Sequence, residues 1–163
     1  ARSTCRTCVP CRKVTRLPLI PKLTPNVTDP ASFARASEEA GADAVSLVNT
    51  FLALAIDVER RRPAISNGMG GLSGPAIRPI AVRMVYECRQ AVTIPVIGMG
   101  GICDARDALE FIIAGATAVQ VGTANFVDPF LWTKVIDGIA DYMARHDIAR
   151  LSDLVGSVDM ARH

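Results

Sequence analysis

Two stretches of the chain nearly spell each other: Gly41-Ala-Asp-Ala-Val-Ser-Leu-Val-Asn-Thr50 and Gly115-Ala-Thr-Ala-Val-Gln-Val-Gly-Thr123. Each follows a helix-like segment, and each of those follows a proline-led apolar run, Pro18-Leu-Ile-Pro-Lys-Leu23 and Pro95-Val-Ile-Gly-Met-Gly100. A strand–helix–strand unit written twice is the signature of a repeated α/β architecture. Both copies end in polar or glycine residues, and strand ends of that kind are where α/β proteins bind ligands.

The order of elements follows from local signals. Residues 17–23 read as a short buried strand. Asp29-Pro30 opens a helix that Gly41 stops, with Asp as cap and Pro in the first turn. Residues 44–49 form the next strand, and a long loop follows over 51–72. Pro75 starts a helix running to about Ala91, and residues 95–99 are a strand. Asp104 caps a helix ending at Gly115, and 118–122 are a strand. Asp128-Pro129 starts a helix to about Arg145, and a short last helix is expected around 152–160. Apolar, uninterrupted strands each followed by a helix predict a parallel sheet buried on both faces. Four strand–helix units are half of a (β/α)₈ barrel, whose full circuit takes about 250 residues. The fold class is therefore α/β, of the TIM-barrel family, with about four C-terminal units present. The alternative is a small open sheet. A half-barrel leaves two open sheet edges, which invites aggregation or dimerisation.

Composition narrows the function. Half of the 163 residues are apolar and 21% are charged, with a net charge of +2. The six bases of residues 1–28 meet no acid, and the rest of the chain holds twelve bases against sixteen acids. A mildly acidic body argues against a nucleic-acid footprint. No apolar run reaches the ~20 residues of a membrane span, and the first 16 residues lack a signal-peptide core. The five cysteines do not form a secreted framework, which points to the cytosol. Residues 1–13 carry Cys5, Cys8 and Cys11 at CxxCxxC spacing without a fourth ligand. They are expected as a lead-in, disordered or foreign to the fold, ahead of an ordered body over 14–163. The chain begins without Met, so a fragment or a processed product is expected. No metal site is expected.

Candidate site residues are the strand tips: Lys22, Asn49-Thr50, Gly100-Gly101 and Gly122-Thr123, with Gly74 at a helix start. Glycines at the last two tips let backbone N–H groups approach a phosphate, and helix N-termini beyond them would add positive potential. Lys22 suits a developing negative charge. Asn49 and Thr50 suit a planar polar ligand. His146 reads as a helix-end residue and Cys103 as structural.

Five ordered motifs then resemble a known family: Lys22-Leu-Thr-Pro-Asn-Val-Thr-Asp29, Ser46-Leu-Val-Asn-Thr50, Gly70-Gly-Leu-Ser-Gly-Pro-Ala-Ile77, Ile97-Gly-Met-Gly-Gly-Ile102 and Ala118-Val-Gln-Val-Gly-Thr-Ala-Asn-Phe126. They are similar to class 1 dihydroorotate dehydrogenases, over about residues 14–160. The loop Ala55-Ile-Asp-Val-Glu-Arg-Arg-Arg-Pro63 resembles the NAD-linked class 1B branch. The resemblance implies an FMN-containing barrel that oxidises dihydroorotate to orotate in pyrimidine synthesis, as a cytoplasmic enzyme. It implies Lys22 beside the flavin ring, Val48 and Gly74 on the flavin through their backbones, and Asn49 and Thr50 on orotate. Gly100, Gly101, Gly122 and Thr123 would grip the FMN phosphate. It also implies an electron-transfer partner subunit carrying FAD and an iron–sulfur cluster, and a homodimer of full-length catalytic subunits. The catalytic base of class 1B is a cysteine in the first half of the family's sequence, which this chain does not match, so this chain alone is expected to be inactive. Two other readings are a pyrimidine-reducing domain of the dihydropyrimidine dehydrogenase type and a non-catalytic half-barrel that binds a phosphate ligand.

Overall fold

Four parallel segments lie side by side in chain order. In the computed structural model, which describes residues 2–161 and side chains from residue 8 onward, β1 (Val45–Leu47) pairs with β6 (Val96–Met99), and β6 pairs with β7 (Ala118–Gln120). A bridge between Lys22 and Ser46 adds residues 19–23 as the fourth segment, outside β1. The spatial order never doubles back, unlike a doubly wound sheet, whose strand order reverses at a switch point.

The connecting helices coat one side. They are α2 (Pro30–Glu39), α3 (Arg78–Arg89), α4 (Ala105–Ala114) and α6 (Leu131–Arg145). α2 packs on α3, α3 on α4, and α4 on α6. Asp29 and Asp104 cap α2 and α4 as expected, accepting from Ser32 N–H at 3.0 Å and Asp107 N–H at 2.9 Å. Gly115 closes α4 at φ 125°. The core joins Val45, Leu47 and Val96 of the sheet to Met84, Val85 and Cys88 of α3 and Phe111 of α4. Gly98 sits inside β6 because a Cβ there would lie 2.6 Å from the Phe111 ring. Burial pushes the Cys88 thiol up to about 12, with help from the Glu87 and Asp29 carboxylates.

Several expectations are corrected. Residues 17–23 are not a buried strand: Leu17 and Ile20 are exposed, and only Leu23 is buried. Pro18 and Pro21 lack N–H donors, so the ladder to β1 reduces to a few bonds, among them Leu23 N–H to Ser46 O at 2.7 Å and Ser46 N–H to Pro21 O at 3.0 Å. β7 is likewise exposed at Ala118 and Gln120, as the outer strand on the other side of the sheet. The loop 51–72 holds two antiparallel ribbons. β2 (Phe51–Ala53) pairs with β5 (Gly70–Leu72), and β3 (Ile56–Asp57) with β4 (Arg62–Pro63). A one-turn helix α5 (Ala124–Val127) precedes α6, and the tail forms only a 3₁₀ turn at Leu151–Asp153.

The lead-in expected over residues 1–13 contains most of helix α1 (Arg2–Val14), which packs on α2. Arg12 anchors it: its Nε donates to Gly41 O at 2.9 Å, and its guanidinium pairs with Asp43. Asp43 also accepts from Leu19 N–H at 2.6 Å, tying the outer segment to β1's approach. Cys8 is buried and Cys11 half-buried, while the Cys5 side chain lies outside the described residues. Among the described residues no cluster of three potential metal ligands occurs. No helix of the described residues is long and apolar enough to cross a membrane.

Candidate functional site

The C-terminal tips of the parallel segments open on one cavity of about 740 Å³. That size falls within the range of about 300–1,000 Å³ usual for small-molecule and cofactor sites. Lys22, Val48, Asn49, Thr50, Gly74, Gly100, Gly101, Gly122 and Thr123 all line it. Nine positions spread over a hundred residues meet because eight of them end a parallel segment or open the connection that follows one, and Gly74 opens the turn that leads into α3.

One wall comes from the first two segments. Lys22 is exposed to the cavity, and among the described residues no carboxylate pairs with it. Val48 is buried and donates its N–H to Met99 O at 3.0 Å, coupling the β1 and β6 tips. A cis peptide bond joins Leu47 to Val48. Asn49 N–H donates to Leu23 O at 3.1 Å, which leaves its side chain available in the cavity lining.

Asn26 is a positioning residue that the sequence reading missed. Its side-chain nitrogen donates to Thr50 O at 3.2 Å, and its side-chain oxygen accepts from Leu52 N–H at 2.9 Å. This bracket fixes the backbone that presents Asn49 and Thr50. The signal was the turn Thr24-Pro-Asn26 itself, a polar side chain four residues past a tip lysine. Gly71 belongs to the same wall: a side chain there would overlap Thr50, so glycine lets the β2–β5 ribbon close on the tip.

A second part of the lining is glycine backbone. Gly74, Gly100 and Gly101 all have positive φ, at 91°, 128° and 78°. A Cβ at Gly101 would lie 2.6 Å from Gly74 O, so the two tips touch. At Gly74 and Gly122 nothing lies within 4 Å of the place a Cβ would occupy, so bare backbone faces open space. Such a surface accepts an anionic group with several oxygens, because backbone donors can approach it without side-chain obstruction. The donor set and the lone lysine fit a phosphate-bearing ligand.

The expected help from helix N-termini is smaller than the sequence suggested. Asp104 caps α4 with its own carboxylate, which takes up the Asp107 N–H and places a negative charge at that helix start. The helix after Gly122-Thr123 is the four-residue α5. The positive character therefore comes from tip backbone and Lys22.

Cys103, Gln120, Asp128 and Trp132 also line the cavity and were not anticipated there. Lys134 Nζ donates to Asp128 at 2.5 Å and Phe130 N–H donates to it at 3.0 Å; both hold its carboxyl below the usual range. Among the described residues, Lys22, Cys103 and Asp128 are the titratable groups of the lining. His146 lies elsewhere, at the end of α6, with its ring 4.3 Å from Tyr142. His163 lies outside the described residues.

Comparison with known proteins agrees on one family. The family described as dihydroorotate dehydrogenase matches residues 4–143. A protein of Porphyromonas gingivalis is 59% identical over 140 residues, covering 86% of this chain and 46% of its own. A Bacteroides fragilis protein is 56% identical over 142 residues, covering 87% of this chain and 47% of its own. One of Trichlorobacter lovleyi is 55% identical over 149 residues, covering 91% and 49%. All three are called "Dihydroorotate dehydrogenase B (NAD(+)), catalytic subunit". The chain spans about half the length of the curated relatives it matches.

Proposed function

Because this chain belongs to the dihydroorotate dehydrogenase family, we propose that it is the C-terminal half of the catalytic barrel of an NAD-linked dihydroorotate dehydrogenase. The whole enzyme would convert dihydroorotate to orotate in pyrimidine synthesis, in the cytoplasm. The parallel strand order that never reverses supports the barrel. The single observation that carries the site is the convergence of nine separated tip residues on one cavity.

The cofactor would be FMN, which when bound supplies the acceptor for a hydride from the substrate. In this chain the backbone of Gly100, Gly101 and Gly122 and the Thr123 hydroxyl would hold its phosphate. Val48 and Gly74 would meet it through their backbones. Lys22, a cation without a carboxylate partner, would stabilise negative charge as it develops on the ring. Asn49 and Thr50, held by Asn26, would orient the substrate's planar polar groups through amide and hydroxyl contacts.

The proton removed from the substrate needs a base. Asp128 is committed to Lys134, Lys22 is assigned to the flavin, and among the described residues the Cys103 thiol has no acid–base partner. The base is therefore assigned to the part of the relatives' length that this chain does not match. The relatives' description as catalytic subunits supports a separate electron-transfer subunit, which would carry FAD and an iron–sulfur cluster. Full-length catalytic subunits would form a homodimer.

Coexpression tests the reading. The 163-residue chain is paired with the unmatched half of the Porphyromonas gingivalis relative, and flavin absorbance is followed on addition of dihydroorotate or dihydrouracil. Bleaching by dihydroorotate with the pair, and none with this chain alone, is the expected result. Bleaching by dihydrouracil instead would transfer the chain to the pyrimidine-reducing alternative, and a colourless pair would sink the flavin assignment.

A further inference from the structure

Beneath the glycine wall lies an ion pair that does not line the cavity. Asp107 of α4 is 5% exposed. One of its carboxylate oxygens accepts from Cys103 N–H at 2.8 Å, in the turn that follows Gly101. The other pairs with Arg78, the first residue of α3, four positions beyond Gly74. Arg78 Nε also lies 3.3 Å from the Glu110 carboxylate, one turn along α4. Ile77 N–H donates to Gly74 O at 3.1 Å, so the start of α3 and the Gly74 tip move together. A Cβ at Gly101 would lie 3.0 Å from Arg78 Cβ, so the crosslink sits directly against the tip contact.

Asp107 is buried and Arg78 half-buried; an ion pair so placed is weak evidence for net stability, because desolvation offsets much of the attraction. Its attested use is registry: it makes one arrangement of the surrounding elements far better than its neighbours. Here the elements it registers are the two glycine tips.

We propose that Arg78 and Asp107 are positioning residues, a clamp that fixes the Gly74 tip against the Gly100–Gly101 tip and so sets the backbone geometry of the phosphate end of the cavity. The proposal rests on the reading that these tips receive a phosphate. Neither side chain touches the ligand; each acts through backbone, Arg78 through the α3 start and Asp107 through Cys103 N–H.

The test uses the 163-residue chain with Arg78→Met, Arg78→Lys and Asp107→Asn. FMN and riboflavin, which differ by the phosphate alone, are titrated by fluorescence quenching. The wild type should prefer FMN. Arg78→Met and Asp107→Asn should lose about tenfold or more in FMN affinity, with riboflavin affinity unchanged, and Arg78→Lys should fall between. A merely structural role would weaken both flavins in parallel, and that result, or an unchanged FMN affinity, overturns the clamp.

A wild-type chain that shows no preference for FMN sinks the phosphate reading instead. Amide exchange without flavin then decides the clamp: Ile102 and Cys103 should exchange about tenfold faster in Arg78→Met, with β6 unchanged, and equal rates overturn it. Should Arg78→Met fail to fold, Arg78→Lys keeps the charge but loses the fork that reaches both carboxylates. It carries the same two comparisons with smaller shifts.

Discussion

Gly101 concentrates the demands of the site on one residue. Its φ of 78° is a conformation in which a Cβ is strained, and the space a Cβ would enter is taken by Gly74 O at 2.6 Å. Gly101→Ala should therefore cost about 1–3 kcal/mol in stability and open the contact between the tips. Chemical denaturation of the chain measures the first effect, and flavin titration the second. A variant with wild-type stability and FMN affinity would mean that the tips do not need to touch. Gly122→Ala makes a contrast, because nothing stands within 4 Å of its would-be Cβ. The glycines were legible as turns at strand ends and a helix start, and they line the cavity. Which of them is required for backbone contact and which for open space is a distinction that only their neighbours supply.

At the scale of elements, α1 shows how a segment joins a fold without an apolar signature. The stretch is polar on average, and Pro10 within it argues against a docking helix. Two polar contacts do the anchoring instead: Arg12 on Gly41 O, and Arg12 with Leu19 N–H on the Asp43 carboxylate. The Leu19 N–H and then the Arg12 guanidinium hold the Asp43 carboxyl below its usual value. A carboxyl depressed in the folded state contributes stability that is present above the ordinary aspartate value near 4 and lost as pH falls through the lowered folded value. The Leu19 amide resonance should thus titrate with an inflection below about 4. In Asp43→Asn it should not titrate, and α1 should be cut more readily by trypsin after Arg12 and Lys13 at neutral pH. An inflection at or above the ordinary value would show that the anchor is absent in solution. The helices led by Asp29-Pro30 and Asp104 were readable because cap and stop residues act locally. The ribbons within 51–72 were not, since two- and three-residue strands carry too short a period, and the β2–β5 pair also needs Gly71 to lie against Thr50.

At the scale of the whole molecule, the described sheet ends in exposed backbone on both sides. Leu17 and Ile20 are uncovered beside the first segment; Phe126, Val127 and Phe130 are uncovered beyond β7, at 91%, 83% and 73% exposure. An open strand edge flanked by apolar side chains is a pairing template. The 163-residue chain should therefore associate as its concentration rises in size-exclusion chromatography. Ala118→Lys, a charge on the β7 edge, should shift it toward monomer. A concentration-independent monomer peak in the wild type would show that the edges are protected in solution. The repeated strand–helix–strand pattern, the caps and the tip residues were determined by the sequence itself, because propensity, turn chemistry and period act over a few neighbouring residues. Only the tertiary structure decided that residues 17–23 and β7 lie at edges rather than inside, that α1 belongs to the fold, and that Asn26, Arg78 and Asp107 brace the site. Burial and long-range pairing depend on which segments end up adjacent, and no local pattern records that.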